Sequence, residues 1–197
     1  NVTFGGLTFT LGSDTSSGFD VVAGGFVGTN QGTISSSYFA NSNLINYSNS
    51  KTTNITAGFA GRNSLNSSIV YSYVKANETT ITPSSPYATG ARIEGKSNGI
   101  VAGFVYENAG TISDCYANIE LYTDSTYMAG FVYNNLSSGT ISESYAACTM
   151  NSKMSGGSQD NAEQPFVGKD NEDNYQNAGN MENNYYLISD GGSGDVG

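Results

Sequence analysis

Gly24-Gly25-Phe26-Val27-Gly28-Thr29-Asn30-Gln31-Gly32-Thr33-Ile34-Ser35-Ser36-Ser37-Tyr38 is a phrase that returns along the chain. A looser copy has Gly58-Phe59-Ala60-Gly61-Arg62-Asn63, then Ile69 and Tyr73. A third has Gly103-Phe104-Val105-Tyr106-Glu107-Asn108-Ala109-Gly110-Thr111-Ile112, then Tyr116. A fourth has Gly130-Phe131-Val132-Tyr133, then Gly139-Thr140-Ile141 and Tyr145. A decayed fifth has Pro165-Phe166-Val167-Gly168, then Met181 in the Ile slot and Tyr185. In every copy an apolar residue stands four positions before a Tyr. That separation fits one face of a strand or of a helix. The residues between are mostly Ser, Asp, Glu or Asn, and helix formers are scarce, so strand is the reading.

The rest of the phrase has a physical reading. Gly-Phe-Val-Gly is a short apolar strand bracketed by glycines. Asn-x-Gly after it is a turn, because Asn and Gly tolerate positive φ. Thr-Ile-Ser-x-x-Tyr is a second strand. Strand, turn, strand and a polar return make one coil, which buries its apolar face only when coils stack. The expectation is an all-β parallel β-solenoid of about five irregular coils, with Phe stacked on Phe and Tyr on Tyr. Its repeat core is Phe26, Ile34 and Tyr38; Phe59, Ile69 and Tyr73; Phe104, Ile112 and Tyr116; Phe131, Ile141 and Tyr145; Phe166, Met181 and Tyr185. The Phe-to-Phe steps are uneven, roughly 33, 45, 27 and 35 residues. The excess falls in Asn41–Thr56, Asn77–Asn98 and Asn151–Gln164, which read as a third side plus protruding loops.

Composition agrees. Of 197 residues, 37% are hydrophobic and only 12% charged, yet 14 Tyr and 9 Phe argue against disorder. The net charge of −10 opposes nucleic-acid binding and docking on anionic membranes. No apolar run approaches the roughly 20 residues of a membrane span. The chain opens at Asn1 without a signal peptide, and a mature or trimmed product is expected.

These phrases resemble the GLUG repeat of bacterial surface proteins, whose pattern is close to Gly-Gly-[Leu/Phe]-Val-Gly, a few residues, Gly-x-Ile, then Ser-Tyr-Ala. The matches are Gly24–Gly28 with Gly32–Tyr38, Gly103–Val105 with Gly110–Ala117, and Gly130–Val132 with Gly139–Ala146. The likeness covers residues 24–186. It implies a right-handed β-solenoid and a role in adhesins or non-catalytic parts of surface proteins. It offers no catalytic residue. Departures are Phe for Leu, and Tyr106 and Tyr133 where Gly is usual, which places those two Tyr on an exposed side.

The expected organisation is a strand-rich cap or subunit-pairing segment over 1–23, solenoid repeats over 24–186, and a Gly/Asp-rich tail over 187–197. Open solenoid ends can pair strands with another copy, which would make a filament. Asp170, Glu172 and Asp173 offer oxygen ligands that suit calcium, although the segment lacks EF-hand spacing; a solvated acidic loop is the plainer reading, and no other cofactor is expected. Cys115 and Cys148 fit no zinc motif; two small packed thiols are the plainer reading, and a disulfide between them, which would favour a secreted protein, stays open. Sequons at Asn1, Asn46, Asn54, Asn66, Asn77 and Asn135 are candidate glycosylation acceptors, most of them in the returns read as exposed.

The chain has no histidine, which removes the usual acid–base group and the Ser-His-Asp triad. A carboxylate pair stays available for polysaccharide hydrolysis, and Asp114 and Glu143 share a repeat slot. An ice-binding solenoid would show ranks of Thr-x-Thr, and only Thr8-Phe9-Thr10 has that pattern, so the sequence alone sets that reading aside. The reading is therefore a non-enzymatic extracellular or cell-surface module, a structural stalk or adhesin. Its partners would be host glycans, surface proteins or further copies of itself, with no nucleic acid and no membrane insertion. A self-assembling filament subunit is the alternative, and a polysaccharide-acting β-helix enzyme a distant one.

Overall fold

The computed structural model describes residues 3–5, 8–11, 21–46, 54–76, 91–95, 99–123, 127–152, 163–168, 176–187 and 193–195. They contain strands and turns and no helix. The chain winds into a parallel β-solenoid with five sheets running along its axis. The first sheet stacks Val21–Gly24, Asn54–Ala57, Gly99–Ala102, Tyr127–Ala129 and Glu163–Gln164. The second stacks Val27–Asn30, Ala60–Asn63, Val105–Asn108 and Val132–Asn135. The third stacks Thr33–Ser35, Ser68–Val70, Thr111–Ser113, Thr140–Ser142 and Asn180–Glu182. The fourth runs from Thr3–Gly5 through Tyr38–Ala40, Tyr73–Lys75, Tyr116–Asn118 and Tyr145–Ala146 to Tyr185–Leu187, and Ser193–Asp195 closes it antiparallel. The fifth stacks Thr8–Leu11, Asn43–Asn46, Arg92–Gly95, Glu120–Thr123 and Thr149–Ser152.

Each of the four full coils thus visits five short strands, where the repeat phrase had suggested two strands and a third side. The side expected in the first polar return is two strands rather than one, Asn43–Asn46 and Asn54–Ala57. Asn is a poor strand former, so the composition hid them. Stacking also extends beyond 24–186, since Thr3–Gly5 and Thr8–Leu11 form a half-coil under the first full one.

The repeat slots stand in register. Ile34, Ile69, Ile112, Ile141 and Met181 pair in one column, and Tyr38, Tyr73, Tyr116, Tyr145 and Tyr185 in another. The two columns do not share a face. Ile69, Ile112 and Ile141 are buried, whereas Tyr145 and Tyr185 are 43% and 54% exposed. Thr-Ile-Ser-x-x-Tyr is a corner between the third and fourth sheets, not one strand. Ser36, Tyr71, Asp114, Glu143 and Asn183 hold that corner at φ between 48° and 53°. A left-handed residue there turns the chain, so Ile points in and the Tyr four positions later points out. The inward residue beside each Tyr is instead Phe39, Val74, Ala117 or Ala146, all fully buried.

Phe26, Phe59, Phe104, Phe131 and Phe166 form an inner column of stacked rings with centroids 4.8–4.9 Å apart. The glycine before each Phe follows from coil spacing. A Cβ on Gly58 would sit 2.1 Å from the Gly103 carbonyl oxygen, and one on Gly103 would sit 2.0 Å from that of Gly130. The Gly103 amide donates to Ala129, so backbone meets backbone with no room between. In the last coil the slot holds Pro165, and no described residue stacks beyond it.

The Asn of Asn-x-Gly is not a positive-φ turn residue. Asn30, Asn63, Asn108 and Asn135 point inward and are at most 5% exposed. Their amides form a chain: Asn30 Nδ2 donates to Asn63 Oδ1 at 2.9 Å. Asn63, Asn108 and Asn135 in turn donate at 2.8 Å, ending on Asn177. Such a column satisfies groups that would each cost about 1–3 kcal/mol if buried unpaired.

Candidate binding surface

The outer face of the fourth sheet carries Tyr38, Tyr73, Tyr116 and Tyr145. Their rings stack at 4.7–4.9 Å and lie within 5° of parallel. Both faces of Tyr73 and Tyr116 are therefore taken by neighbouring rings. What the column offers outward is ring edges and phenol hydroxyls. Burial raises the pKa of Tyr73, Tyr116 and Tyr145; for Tyr116, with neighbouring Tyr145 and Tyr73 adding to it, the value reaches about 12.

Across the corner, the third sheet faces outward with two ranks of small side chains. One rank is Thr33, Ser68, Thr111 and Thr140, then Asn180. The other is Ser35, Val70, Ser113 and Ser142, then Glu182. Ser68 Oγ donates to Thr33 Oγ1 at 3.1 Å, so hydroxyls on adjacent coils meet directly. Thr-x-Thr does not recur along the chain, but Thr-Ile-Ser in register makes ranks of its own.

The fifth sheet brings charged groups together outside the core. Arg92 pairs with Glu94, whose side chain is 2% exposed, and its guanidinium carbon lies 5.8 Å from the Tyr122 ring centroid. Glu120 stands beside Arg92 in register and accepts from Asn151 Nδ2 at 2.9 Å. Burial holds the Glu120 carboxyl above its usual range; Arg92 and Asn151 counter this, and Glu94 adds to it. One guanidinium thus stands beside two carboxylates, pairing with Glu94 and only countering the burial of Glu120, a cluster of uneven charge that sequence spacing did not signal.

Asp114 and Glu143 occupy adjacent corners: the Asp114 amide donates to Ser142. Both side chains are exposed, and Glu143 accepts from Asn183 Nδ2 at 2.9 Å. Two exposed acids on a convex corner have neither the burial nor the enclosure that acid catalysis uses. Asp170, Glu172 and Asp173 lie outside the described residues. Tyr133, expected on an exposed side, is 6% exposed; it packs with Ala57, Ala102 and Ala129 and stacks on Tyr106 at 5.7 Å.

Three of the sequons are closed. Asn46 and Asn54 are fully buried, and Asn135 belongs to the inner amide column. Asn66 is exposed on a turn, and Asn77 and Asn1 lie outside the described residues. Cys115 and Cys148 are both buried and unbridged. Cys115 takes the corner slot of Ser37, Ser72 and Ser144, and like them it donates back to the residue two before it. Burial raises both thiols to about 12.

No family model, curated protein or solved structure matches the chain.

Proposed function

We propose that the chain is a non-catalytic extracellular module, a structural stalk or adhesin carried at a cell surface. The observation behind this reading is how the repeated residues are used. Phe, Ile and Asn columns are spent on stacking one coil on the next, and the corner serines on closing the turns. The outer faces carry hydroxyls, amides and tyrosine edges, which suit many weak contacts. The GLUG-like phrase supports the same reading, by resemblance. Because both faces of Tyr73 and Tyr116 are used internally, the middle of the column would meet a host glycan through hydroxyls and ring edges, and the exposed Tyr71, Tyr145 and Tyr185 are the rings left for stacking.

A filament subunit is the second reading. The outward edges of Val21–Gly24, Val27–Asn30 and Thr33–Ser35 favour it, since no described strand covers them. The reversed strand Ser193–Asp195 opposes it, because it ends the parallel order of the fourth sheet. A polysaccharide-acting enzyme is third, and Arg92, Glu94 and Glu120 are the residues it would use. Negative-stain microscopy with sedimentation, followed by a glycan and host-protein binding array, separates the three. Isolated short rods that bind in the array fit the proposal. Long fibres of uniform width would replace it with the filament, and shortening of a polysaccharide would replace it with the enzyme.

A further inference from the structure

We propose that the outer face of the third sheet binds ice. This goes beyond the surface-module reading and rests only on the solenoid and its register. An ice-binding face must be flat, regular in two directions, uncharged, and able to hold water where a crystal would hold it. Ordinary sheets twist by about 20–25° between neighbouring strands. Here adjacent tyrosine rings just across the corner lie within 5° of parallel and adjacent phenylalanine rings inside within 18°, so the coils stack with less twist than an ordinary sheet.

Regularity in the first direction is the coil repeat, 4.7–4.9 Å by those same rings. In the second it is the step between alternate strand residues, about 6.6–6.8 Å. The first is close to an oxygen spacing on a prism face of hexagonal ice, and the second is somewhat shorter than the spacing at right angles to it. Thr33, Ser68, Thr111 and Thr140 stand in register along one line, where the Ser68 and Thr33 hydroxyls draw together to 3.1 Å, and Ser35, Ser113 and Ser142 stand along the next. Val70 interrupts the second line with a methyl surface rather than a charge. Over these four coils the two ranks carry no charged residue; Glu182 enters only in the last. The buried Ile column beneath holds the strands in place.

Hydroxyls fixed on rigid strands can order water without the side-chain entropy a flexible surface would lose. The two ranks themselves hold no cation for an anionic polymer and no aromatic ring for a sugar, the exposed Tyr71, Asp114 and Glu143 standing at the corner beside them, so a lattice of water is the ligand the ranks fit. Burial of Thr methyls against that lattice adds an apolar contribution.

The test is thermal hysteresis and ice recrystallisation inhibition by the purified full chain. It is run beside Thr111→Tyr and Thr140→Tyr, which raise bulk on the ranks, and Asn151→Tyr on the exposed fifth sheet. Circular dichroism checks that each variant keeps its strands. The expected result is faceted ice growth and inhibited recrystallisation with the parent and Asn151→Tyr, both lost in the two rank variants. Absence of any effect with the folded parent overturns the inference, and so does activity that survives both rank variants. Either failure leaves the surface-module reading to its own microscopy and binding array.

Discussion

The solenoid holds two aromatic columns of nearly identical geometry in opposite surroundings. Phe59, Phe104 and Phe131 stack at 4.9 Å with no solvent contact, whereas Tyr38, Tyr73, Tyr116 and Tyr145 stack at 4.7–4.9 Å on the outside. Equal spacing in unequal solvents means that the coil repeat, not ring attraction, sets the stacking distance. The energetic weight should follow burial. The inner column fills the core, where truncation leaves a cavity. The outer column is largely a consequence of register.

The strongest way to break this comparison is to truncate one ring in each column. Phe104→Ala should cost about 3–5 kcal/mol, the usual range for an emptied core site. Tyr116→Ala should cost about 1 kcal/mol, the worth of a ring pair beyond its area. Urea denaturation gives both values, and equal losses would place the outer column among the supports of the fold. The amide column sharpens the same contrast from inside. Asn108→Leu leaves Asn63 Nδ2 and Asn135 Oδ1 without their partner. At about 1–3 kcal/mol for each stranded group, the loss should approach that of Phe104→Ala despite similar volume. A near-neutral result would show that the column is decoration.

Alkaline titration probes the outer column alone. Tyr116 keeps its proton to about pH 12 in the folded chain, against an ordinary value of 10.0. Between those values the unfolded chain sheds a proton that the folded one retains. This contribution is fully present below pH 10 and is lost as pH rises toward 12. The urea midpoint should therefore fall over that window, and Tyr116→Phe should flatten the fall. Buried Cys115 and Cys148 act in the same direction over a window starting from 9.0. A midpoint that ignores pH in the parent protein would contradict a Tyr116 phenol held protonated by burial and its tyrosine neighbours. The smallest effect belongs to the corner between the Ile and Tyr columns. Asp114 stands at φ 53°, a conformation glycine adopts without a Cβ penalty. Asp114→Gly should be neutral to stabilising by up to about 1 kcal/mol, and a clear loss would mean that the side chain itself holds the corner.

Much of the architecture was legible because stacking repeats the same need in every coil. The Phe, Ile and Tyr slots align by eye, Met181 included, and glycine recurs where a carbonyl of the next coil leaves no space for a Cβ. What escaped was orientation. A four-residue step suggests one face, yet a left-handed corner such as Ser36 or Glu143 reverses it, and neither residue type announces positive φ. Asn was read as turn chemistry or as an exposed acceptor, because its usual home is the surface. Asn108, Asn135 and Asn54 are buried instead, since amides in register can satisfy one another or the strands around them. The Arg92–Glu94–Glu120 cluster was invisible because its partners lie on different coils. The candidate surface was half legible: tyrosine recurrence was plain, but not that it faces out, and Thr-Ile-Ser gained meaning only from register.

The most direct test of the register on which all of this rests is a cross-coil disulfide. Tyr73 and Tyr116 are distant in sequence and direct partners in adjacent strands. Neighbouring strands lie about 4.7–4.9 Å apart, within reach of a disulfide. In a Cys115→Ser, Cys148→Ala background, Tyr73→Cys with Tyr116→Cys should oxidise to an intramolecular bridge, read by mass spectrometry of the digested chain. Tyr38→Cys with Tyr116→Cys, separated by a whole coil, should not. Failure of the first pair to bridge in folded protein, or equal bridging of both, would contradict the stacking.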